Sequence, residues 1–269
     1  MSHYENYTRE FTKLSLWYAR KHILEGLSDF EDALIMRVNI FRNTQFFVGG
    51  RHPSKGDVIP EWDALLDRLR TVFDAHIEDS NTATLEEKGL EIFWPDIKAS
   101  IDASGDPQVP KDDRPYESWS CDHRSERLNI HIFNTYAPES PLTSKKDAFA
   151  GALIRLIEDS KRTHPKIDIV SCGSWLNSVS SFADLFPKAW SDSAKGSQEV
   201  RYTMGHWGQF TDRKGDFHAR NGQQFRRTGE FPYEATSCQA PIDAVLDHLY
   251  ENFPGGVSHN VTVGYDALR

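Results

Sequence analysis

The chain has 269 residues, of which 38% are hydrophobic, 12% aromatic and 26% charged, as in a soluble globular protein of one large or two smaller domains. The formal net charge of −9 disfavours a protein built mainly to hold nucleic acid or an anionic membrane, because both need clustered Lys and Arg.

The cysteines and the apolar segments indicate the cellular compartment of the protein. Cys121, Cys172 and Cys238 are widely spaced and form no CxxC pair, which favours reduced thiols over a disulfide framework or a zinc site. The chain has no apolar run near the roughly 18 residues that a membrane-spanning helix needs. We therefore expect a cytoplasmic protein without a membrane partner.

The first hundred residues predict helices. PEWDALLDRLRTVFDAHI, residues 60–77, repeats apolar side chains every three or four positions, and its proline suits the first turn of a helix. Similar spacing predicts helices at about 8–27 and 30–47, the second ending at Gly49-Gly50.

A further helix and a linker complete this part. Thr84 and Glu87 form a capping box before another apolar repeat, in which Pro95 predicts a kink or a restart. The segment 103–115 contains three prolines and three aspartates and predicts a linker. We expect a helical N-terminal domain at 1–102 and an α/β domain at 116–269.

The α/β domain begins with a strand that alternates apolar and polar side chains, RLNIHIFN. It continues through the loop YAPESPLTS, the helix KKDAFAGALIRLIEDSKRTH, the strand IDIVSCGSWL and the helix SSFADLFPKAW. A hairpin of VRYTMGHWGQFT with a partner from Asp216 follows, then the strand YEATSCQA, the helix PIDAVLDHLYENF and the short strand HNVTVGY. The fold class is therefore α/β (α+β), with a mixed sheet and flanking helices.

The predicted hairpin contains His206, Asp212 and His218, spaced six residues apart. DRKG suits a type I turn with a bulge, in which Gly215 is left-handed and Asp212 pairs with Asp216. In this register the two histidines lie about 13 Å apart at roughly 3.3 Å per residue. Because zinc needs each nitrogen at about 2 Å, we expect no metal here. His206 remains a candidate general base.

The element order is similar to the second half of the GNAT acyltransferase fold. HIFNTYAPESPLTSKKDAFAGAL and SCGSWLNSVSSFADLFP resemble the GNAT-like C-terminal domain that follows a helical region in some bacterial acyltransferases. The resemblance covers roughly residues 126–190 and is most specific at Ser174-Trp175-Leu176 and Leu185-Phe186-Pro187. It implies an acyl-coenzyme A donor, a small-molecule amine or similar acceptor, and two central strands that splay apart.

The donor loop departs from the family pattern. GNAT enzymes usually hold the coenzyme A pyrophosphate with a Q/RxxGxG/A loop, whose glycines let backbone N–H groups approach the phosphates. The corresponding loop here, TYAPESPLTSKKD, contains no glycine. Thr143 or Ser144 is then expected to cap the helix, and Lys145 or Lys146, with Arg226, to contact the donor's phosphates.

The resemblance assigns roles to further residues. His206 or His131 would act as general base, Ser174 and Asn177 would position the carbonyl, and Trp175 would form an apolar wall. The hairpin would present Trp207 and Gln209 to the substrate. The alternatives are that His131 is structural, that Ser178 or Ser180 caps the next helix, and that Trp175 is core.

Two residue types bear on other chemistries. Cys172 is either a nucleophile or, inside an apolar strand, a small buried hydrophobe. A GxSxG nucleophile elbow does not surround Ser174, which disfavours a serine hydrolase.

Two other classes of function stay open. A non-catalytic or accessory module on a degenerate GNAT-like scaffold would bind a nucleotide or a protein through Trp207, Arg220 and Arg226, and the glycine-free loop favours it. Arg220–Arg227 also form a local basic patch to which a nucleotide or RNA can dock. A metal-dependent hydrolase or oxygenase is the third class.

Overall fold

The computed structural model describes residues 2–38, 40, 44–46, 53, 58–104, 114–197 and 199–259. Over these residues the protein has a mixed α/β fold, in which helices precede a five-stranded sheet. None of the described helices is long and apolar enough to cross a membrane.

The helices, in chain order, are α1 (His3–Leu24), α2 (Phe30–Asp32), α3 (Pro60–His76), α4 (Ala83–Ser104), α5 (Lys146–Thr163), α6 (Ser180–Ala183), α7 (Lys188–Asp192), α8 (Met204–Trp207), α9 (Ala219–Thr228) and α10 (Ile242–Asn252). A π-helical turn, Ala33–Arg37, follows α2, and 3-10 turns span Trp175–Ser178, Gly208–Phe210 and Pro254–His259. The strands are β1 (Trp119–Arg124), β2 (Arg127–Ile132), β3 (Ile169–Ser174), β4 (Lys195–Gly196) and β5 (Thr236–Pro241).

The chain divides into two compact units. The first contains the described parts of Met1–Val109 together with Ser197–Ala235, and the second contains the described parts of Pro110–Gly196 and Thr236–Arg269. The sequence predicts that 116–269 form one domain, so the assignment of Ser197–Ala235 differs. Most of the predicted linker lies outside the described residues.

The first helix of the first unit begins at a capping box. Ser2 starts α1 because its hydroxyl accepts from the Glu5 N–H at 3.1 Å and the Glu5 carboxylate accepts from the Ser2 N–H at 2.9 Å. The predicted helix at 60–77 is confirmed. The predicted helix at 30–47 is wrong in length, because helical structure ends at Arg37; Gly49-Gly50 lies outside the described residues.

The start of α4 differs from the prediction. The Asn81 side chain accepts from the Ala83 N–H at 3.0 Å, and Thr84 lies within the helix. The predicted capping box is therefore wrong, since Thr84 comes after the residues that cap the helix. The helix continues through Pro95 without a restart.

An aromatic cluster explains why Ser197–Ala235 belongs to the first unit. Tyr18 of α1 lies 5.5 Å from Trp207 and 5.2 Å from Phe225, measured between ring centroids. Phe231 lies 4.4 Å from Phe225. Buried aromatic pairs at these separations stabilise a core beyond their buried area.

The second unit is built on a mixed sheet of order β1-β2-β3-β5-β4, in which only β2 and β3 are parallel. Helix α5 covers the sheet, and its Phe149, Leu153 and Ile157 are fully buried. The strands β2, β3 and β5 and the helices α5 and α10 confirm the predictions. The predicted helix SSFADLFPKAW is instead two short helices, α6 and α7, and the sequence did not predict β1 or β4.

The predicted hairpin is wrong except at its turn. The Asp212 N–H donates to the Asp216 carbonyl at 2.8 Å, and Gly215 has a φ of 86°, as predicted. The flanking residues are helical, because Trp207 and Phe210, three positions apart, are both fully buried in one core, whereas a strand would point them to opposite faces. Most of the predicted strand HNVTVGY lies outside the described residues.

Candidate functional site

The parallel strands β2 and β3 separate halfway along their length. They pair through Arg127–Asn129 and Ile169–Ser171. Beyond this point, in the described sheet, Ile130–Ile132 pair with β1 alone and Cys172–Ser174 pair with β5 alone. The C-terminal halves of two neighbouring strands therefore face each other without hydrogen bonds. The carboxyl ends of strands are where α/β sheets bind ligands.

A cavity of about 360 Å³ lies at the N-terminus of α5, the helix that connects these two strands. It is lined by Thr143, Ser144, Lys145, Lys146, Asp147, Ala148 and Gly255. The cavity is therefore walled by the loop that the sequence assigns to the donor, together with one residue from the C-terminal 3-10 turn.

The backbone at this end of α5 offers hydrogen-bond donors. The cap residue is Lys145, without a side-chain cap, so the predicted capping by Thr143 or Ser144 is wrong. In the described part of the chain, the N–H groups of Asp147 and Ala148 have no acceptor. The first N–H groups of a helix carry partial positive charge and attract anions.

The two lysines of the cavity form ion pairs with exposed carboxylates, and Lys146 also lies 5.5 Å from the Phe253 ring centroid. Lys145 pairs with Glu139 at 3.1 Å and Lys146 with Asp184 at 3.2 Å, and both carboxylate side chains are more than half exposed. Exposed ion pairs contribute at most about 1 kcal/mol, so either ammonium can exchange its partner for a phosphate at little cost.

Two glycines allow the C-terminal 3-10 turn to lie against α5. A Cβ atom on Gly151 would lie 2.3 Å from the Gly256 carbonyl oxygen, and one on Gly256 would lie 2.8 Å from the Gly151 nitrogen. The close approach requires glycine at both positions. It places Gly255 beside Asp147 at the mouth of the cavity.

His131 lies on the half of β2 that does not pair with β3. Its Nε2 lies 3.0 Å from Oδ2 of Asp122 on β1, and about half of its side chain is exposed. Although burial alone would raise the pKa of Asp122, hydrogen bonds from His131, Asn129 and Arg124 hold that pKa below its ordinary value. The pair is an imidazole oriented by an ionised carboxylate.

Asp122 is a residue that the sequence prediction missed, because it missed β1. The signal was available in WSCDHR, in which Trp119, Cys121 and His123 alternate with polar residues as in a half-buried strand.

Ser174, Trp175 and Asn177 lie together at the end of β3. The Ser174 hydroxyl accepts from the Leu176 N–H at 3.1 Å, and Trp175 begins the 3-10 turn. The Asn177 amide donates to the carbonyls of Cys172 and Thr236 at 3.1 and 2.8 Å and accepts from the Trp190 indole at 3.1 Å. These bonds are structural, and carbonyl positioning by Ser174 and Asn177 stays a prediction.

The other predicted residues belong to the first unit. Trp207 is fully buried and donates its indole N–H to the Arg37 carbonyl at 2.9 Å. Gln209 is 1% exposed and bonds the backbone of His206 and Tyr233. Their predicted presentation on a sheet face is therefore wrong, because both side chains lie inside a core.

His206 lies on α8, next to these residues. Its Nδ1 lies 3.4 Å from the Thr203 hydroxyl, and its buried Nε2 has no hydrogen-bond partner among the described residues. Burial, and secondarily Arg201, lower the pKa of His206. His218 instead caps α9 by accepting from the Asn221 N–H at 3.3 Å.

Arg226 already has a carboxylate partner. Its guanidinium binds both oxygens of Glu86, at 2.8 and 2.7 Å, and Glu86 is 6% exposed. Removing one partner of a buried ion pair leaves a costly unpaired charge, so the predicted contact with a donor phosphate would compete with this pair. Arg220 and Arg227 are exposed on α9.

The remaining predicted chemistry concerns Cys172 and metals. Cys172 lies opposite Cys238 in the pairing of β3 with β5, and burial raises its pKa to about 12. In the described ranges, His, Cys, Asp and Glu side chains form no group of three that could hold a metal ion.

Comparison of the chain with protein-family models, curated proteins and solved structures gives no match.

Proposed function

We propose that the protein is an acyltransferase-type enzyme that moves an acyl group from a thioester donor, acyl-coenzyme A, to a small-molecule amine or similar acceptor. The observation that carries the proposal is the separation of β2 from β3 after Asn129 and Ser171. The resemblance to GNAT enzymes requires such an opening, because the thioester arm of the donor lies between the two strands.

The cavity at the N-terminus of α5 supports the same function. A donor whose thioester lies between the strands would place its phosphates beside the helix that joins them. The N–H groups of Asp147 and Ala148, which have no acceptor among the described residues, would donate hydrogen bonds to a phosphate, with Lys145 and Lys146 close by. Backbone donors at a helix end would thus take the place of the missing glycine loop.

The acid-base chemistry is assigned to His131. Its Nδ1 would take a proton from the acceptor amine while the amine nitrogen attacks the thioester carbonyl. The proton would then pass to the sulfur as the carbon–sulfur bond breaks, so that the donor leaves as a thiol. Trp175 would form a wall at the end of β3. His131 belongs to the same unit as the opening and the cavity, whereas His206 belongs to the other unit.

A non-catalytic module that binds a nucleotide on the same scaffold is the second candidate. The observation that favours it is the engagement of Ser174 and Asn177 in bonds within the protein. Such a module would bind coenzyme A or a nucleotide at α5 without needing His131.

Calorimetric titration with coenzyme A tests the donor site. We expect binding at submillimolar concentration, weakened about tenfold or more by the double variant K145A/K146A, because charge-assisted hydrogen bonds contribute about 1.5–3 kcal/mol each. Lys188→Ala is the matched control, since this exposed lysine pairs with Asp192 on its own helix.

The outcomes separate the candidates. Wild-type protein that gives no heat at millimolar coenzyme A would contradict the donor assignment. Mass spectrometry of reactions with acyl-coenzyme A and a panel of amines would detect acyl transfer. Binding of coenzyme A without any acylated product would favour the module over the enzyme.

A further inference from the structure

A second cluster of reactive side chains lies between β1 and α5, away from the β2–β3 opening. Cys121 and His123 are two residues apart on β1 and point to the same face of the sheet. Nε2 of His123 lies 4.0 Å from the Cys121 sulfur and 3.3 Å from the Ser160 hydroxyl of α5.

The imidazole is suited to accept a proton. His164 stacks on His123 with 3.8 Å between ring centroids and 15° between planes. Burial, and then the neighbouring His164, lower the pKa of His123, so the ring is neutral at pH 7. Asp122, Tyr116 and Asp159 are the other titratable groups around the cluster, and Tyr116 donates to Asp159 at 3.0 Å.

The three cysteines differ in solvent exposure. Cys172 and Cys238 are each 2% exposed, whereas Cys121 is only half-buried on the outermost strand of the sheet. Burial raises the pKa of the Cys121 thiol, and the neighbouring Ser160 hydroxyl opposes this rise. The thiol therefore needs a base to become a nucleophile near neutral pH, and Nε2 of His123 lies 4.0 Å from the sulfur.

We propose that Cys121 is a site of S-thiolation by low-molecular-weight disulfides, with His123 accepting the thiol proton. The sulfur attacks one sulfur of the disulfide, the S–S bond breaks, and a mixed disulfide forms on Cys121. The proton passes to Nε2 of His123 and then to the released thiolate, which leaves as a thiol. The proposal does not depend on the acyltransferase function.

Reaction of the native protein with glutathione disulfide, followed by intact mass and peptide mapping, tests the proposal. We expect one glutathione adduct, on Cys121, which is lost in Cys121→Ser and retained in Cys172→Ser. His123→Gln should slow the reaction at least about tenfold at pH 7, and the rates should converge at alkaline pH, where the thiolate forms without a base.

His248→Gln is the control, because His248 lies on α10 and bonds the Asp184 carbonyl. It should leave the rate unchanged. Modification of Cys172 or Cys238 as fast as that of Cys121 would overturn the assignment of the site to Cys121. Rates for His123→Gln that stay parallel to the wild-type rates at every pH would overturn the role of His123, since a merely structural effect has no such pH signature.

Discussion

Nε2 of His131 lies 3.0 Å from the Asp122 carboxylate, across the antiparallel pairing of β2 with β1. Because a carboxylate only accepts hydrogen bonds, a neutral imidazole in this contact carries its proton on Nε2 and its lone pair on Nδ1. The contact therefore fixes both the tautomer and the orientation of the ring, as an orienting group does for a general base.

The first prediction concerns this pair. In an acyl-transfer assay, His131→Ala should lower kcat about a hundredfold, the usual contribution of a general base, and Asp122→Ala should lower it at least about tenfold. The KM for the donor should stay within about twofold, because neither side chain lines the cavity at α5. Arg124→Ala is the matched control, since Arg124 binds the same carboxylate from a side chain that is 75% exposed. An Asp122→Ala enzyme with wild-type kcat would contradict the positioning role.

The second prediction concerns Asn177, which joins the ends of β3 and β5 to α7. Asn177→Ala removes one hydrogen-bond donor from each of two backbone carbonyls and the acceptor of the indole N–H of Trp190, a residue 1% exposed. We expect a loss of about 2–4 kcal/mol in the free energy of unfolding, measured with urea. Ser191→Ala, at an exposed serine of α7, should change it by less than about 0.5 kcal/mol.

A role of Asn177 in carbonyl positioning has a separate signature. Asn177→Asp keeps an acceptor for Trp190 but loses the donors to the carbonyls. If the variant stays folded with wild-type turnover, Asn177 is structural alone. A loss of kcat larger than the loss of folded protein would support the predicted contact with the substrate.

The residues that sequence patterns predicted correctly share a strong local signal. Pro60 with an apolar repeat defines α3, and the strict alternation of RLNIHI defines β2. The residues around Trp207 were wrongly predicted to form a strand, because their alternation matches a strand. Their burial depends instead on aromatic partners distant in sequence. The contact between Asp122 and His131 could not be predicted without the register of β1 on β2.

The candidate site was likewise predicted only where the local sequence carries a signal. The loop before α5 was identified from its sequence, since it lies between two recognisable elements. The approach of Gly255 to Asp147 joins positions more than a hundred residues apart, and the local sequence of neither one indicates it.

The third prediction concerns pH and His206. Burial, then Arg201, lower the pKa of this histidine, so the folded state binds fewer protons than the unfolded state as pH falls below about 6.5. Stability should therefore decrease from pH 7.5 to pH 5. His22 has a pKa lowered in the same direction, by burial first and then by Arg37 and Lys21, so it contributes to the same decrease.

His206→Phe should reduce this pH dependence and leave stability at pH 7.5 unchanged or higher. The substitution removes a buried Nε2 without a partner and adds a ring next to Phe231, whose centroid lies 6.4 Å from the imidazole. Urea unfolding at the two pH values measures the change, with His248→Gln in the other unit as control. A variant whose stability falls between pH 7.5 and pH 5 as much as that of the wild type would exclude His206 as a source of the effect. Loss of acyl transfer in the stable variant would instead restore His206 as a candidate base.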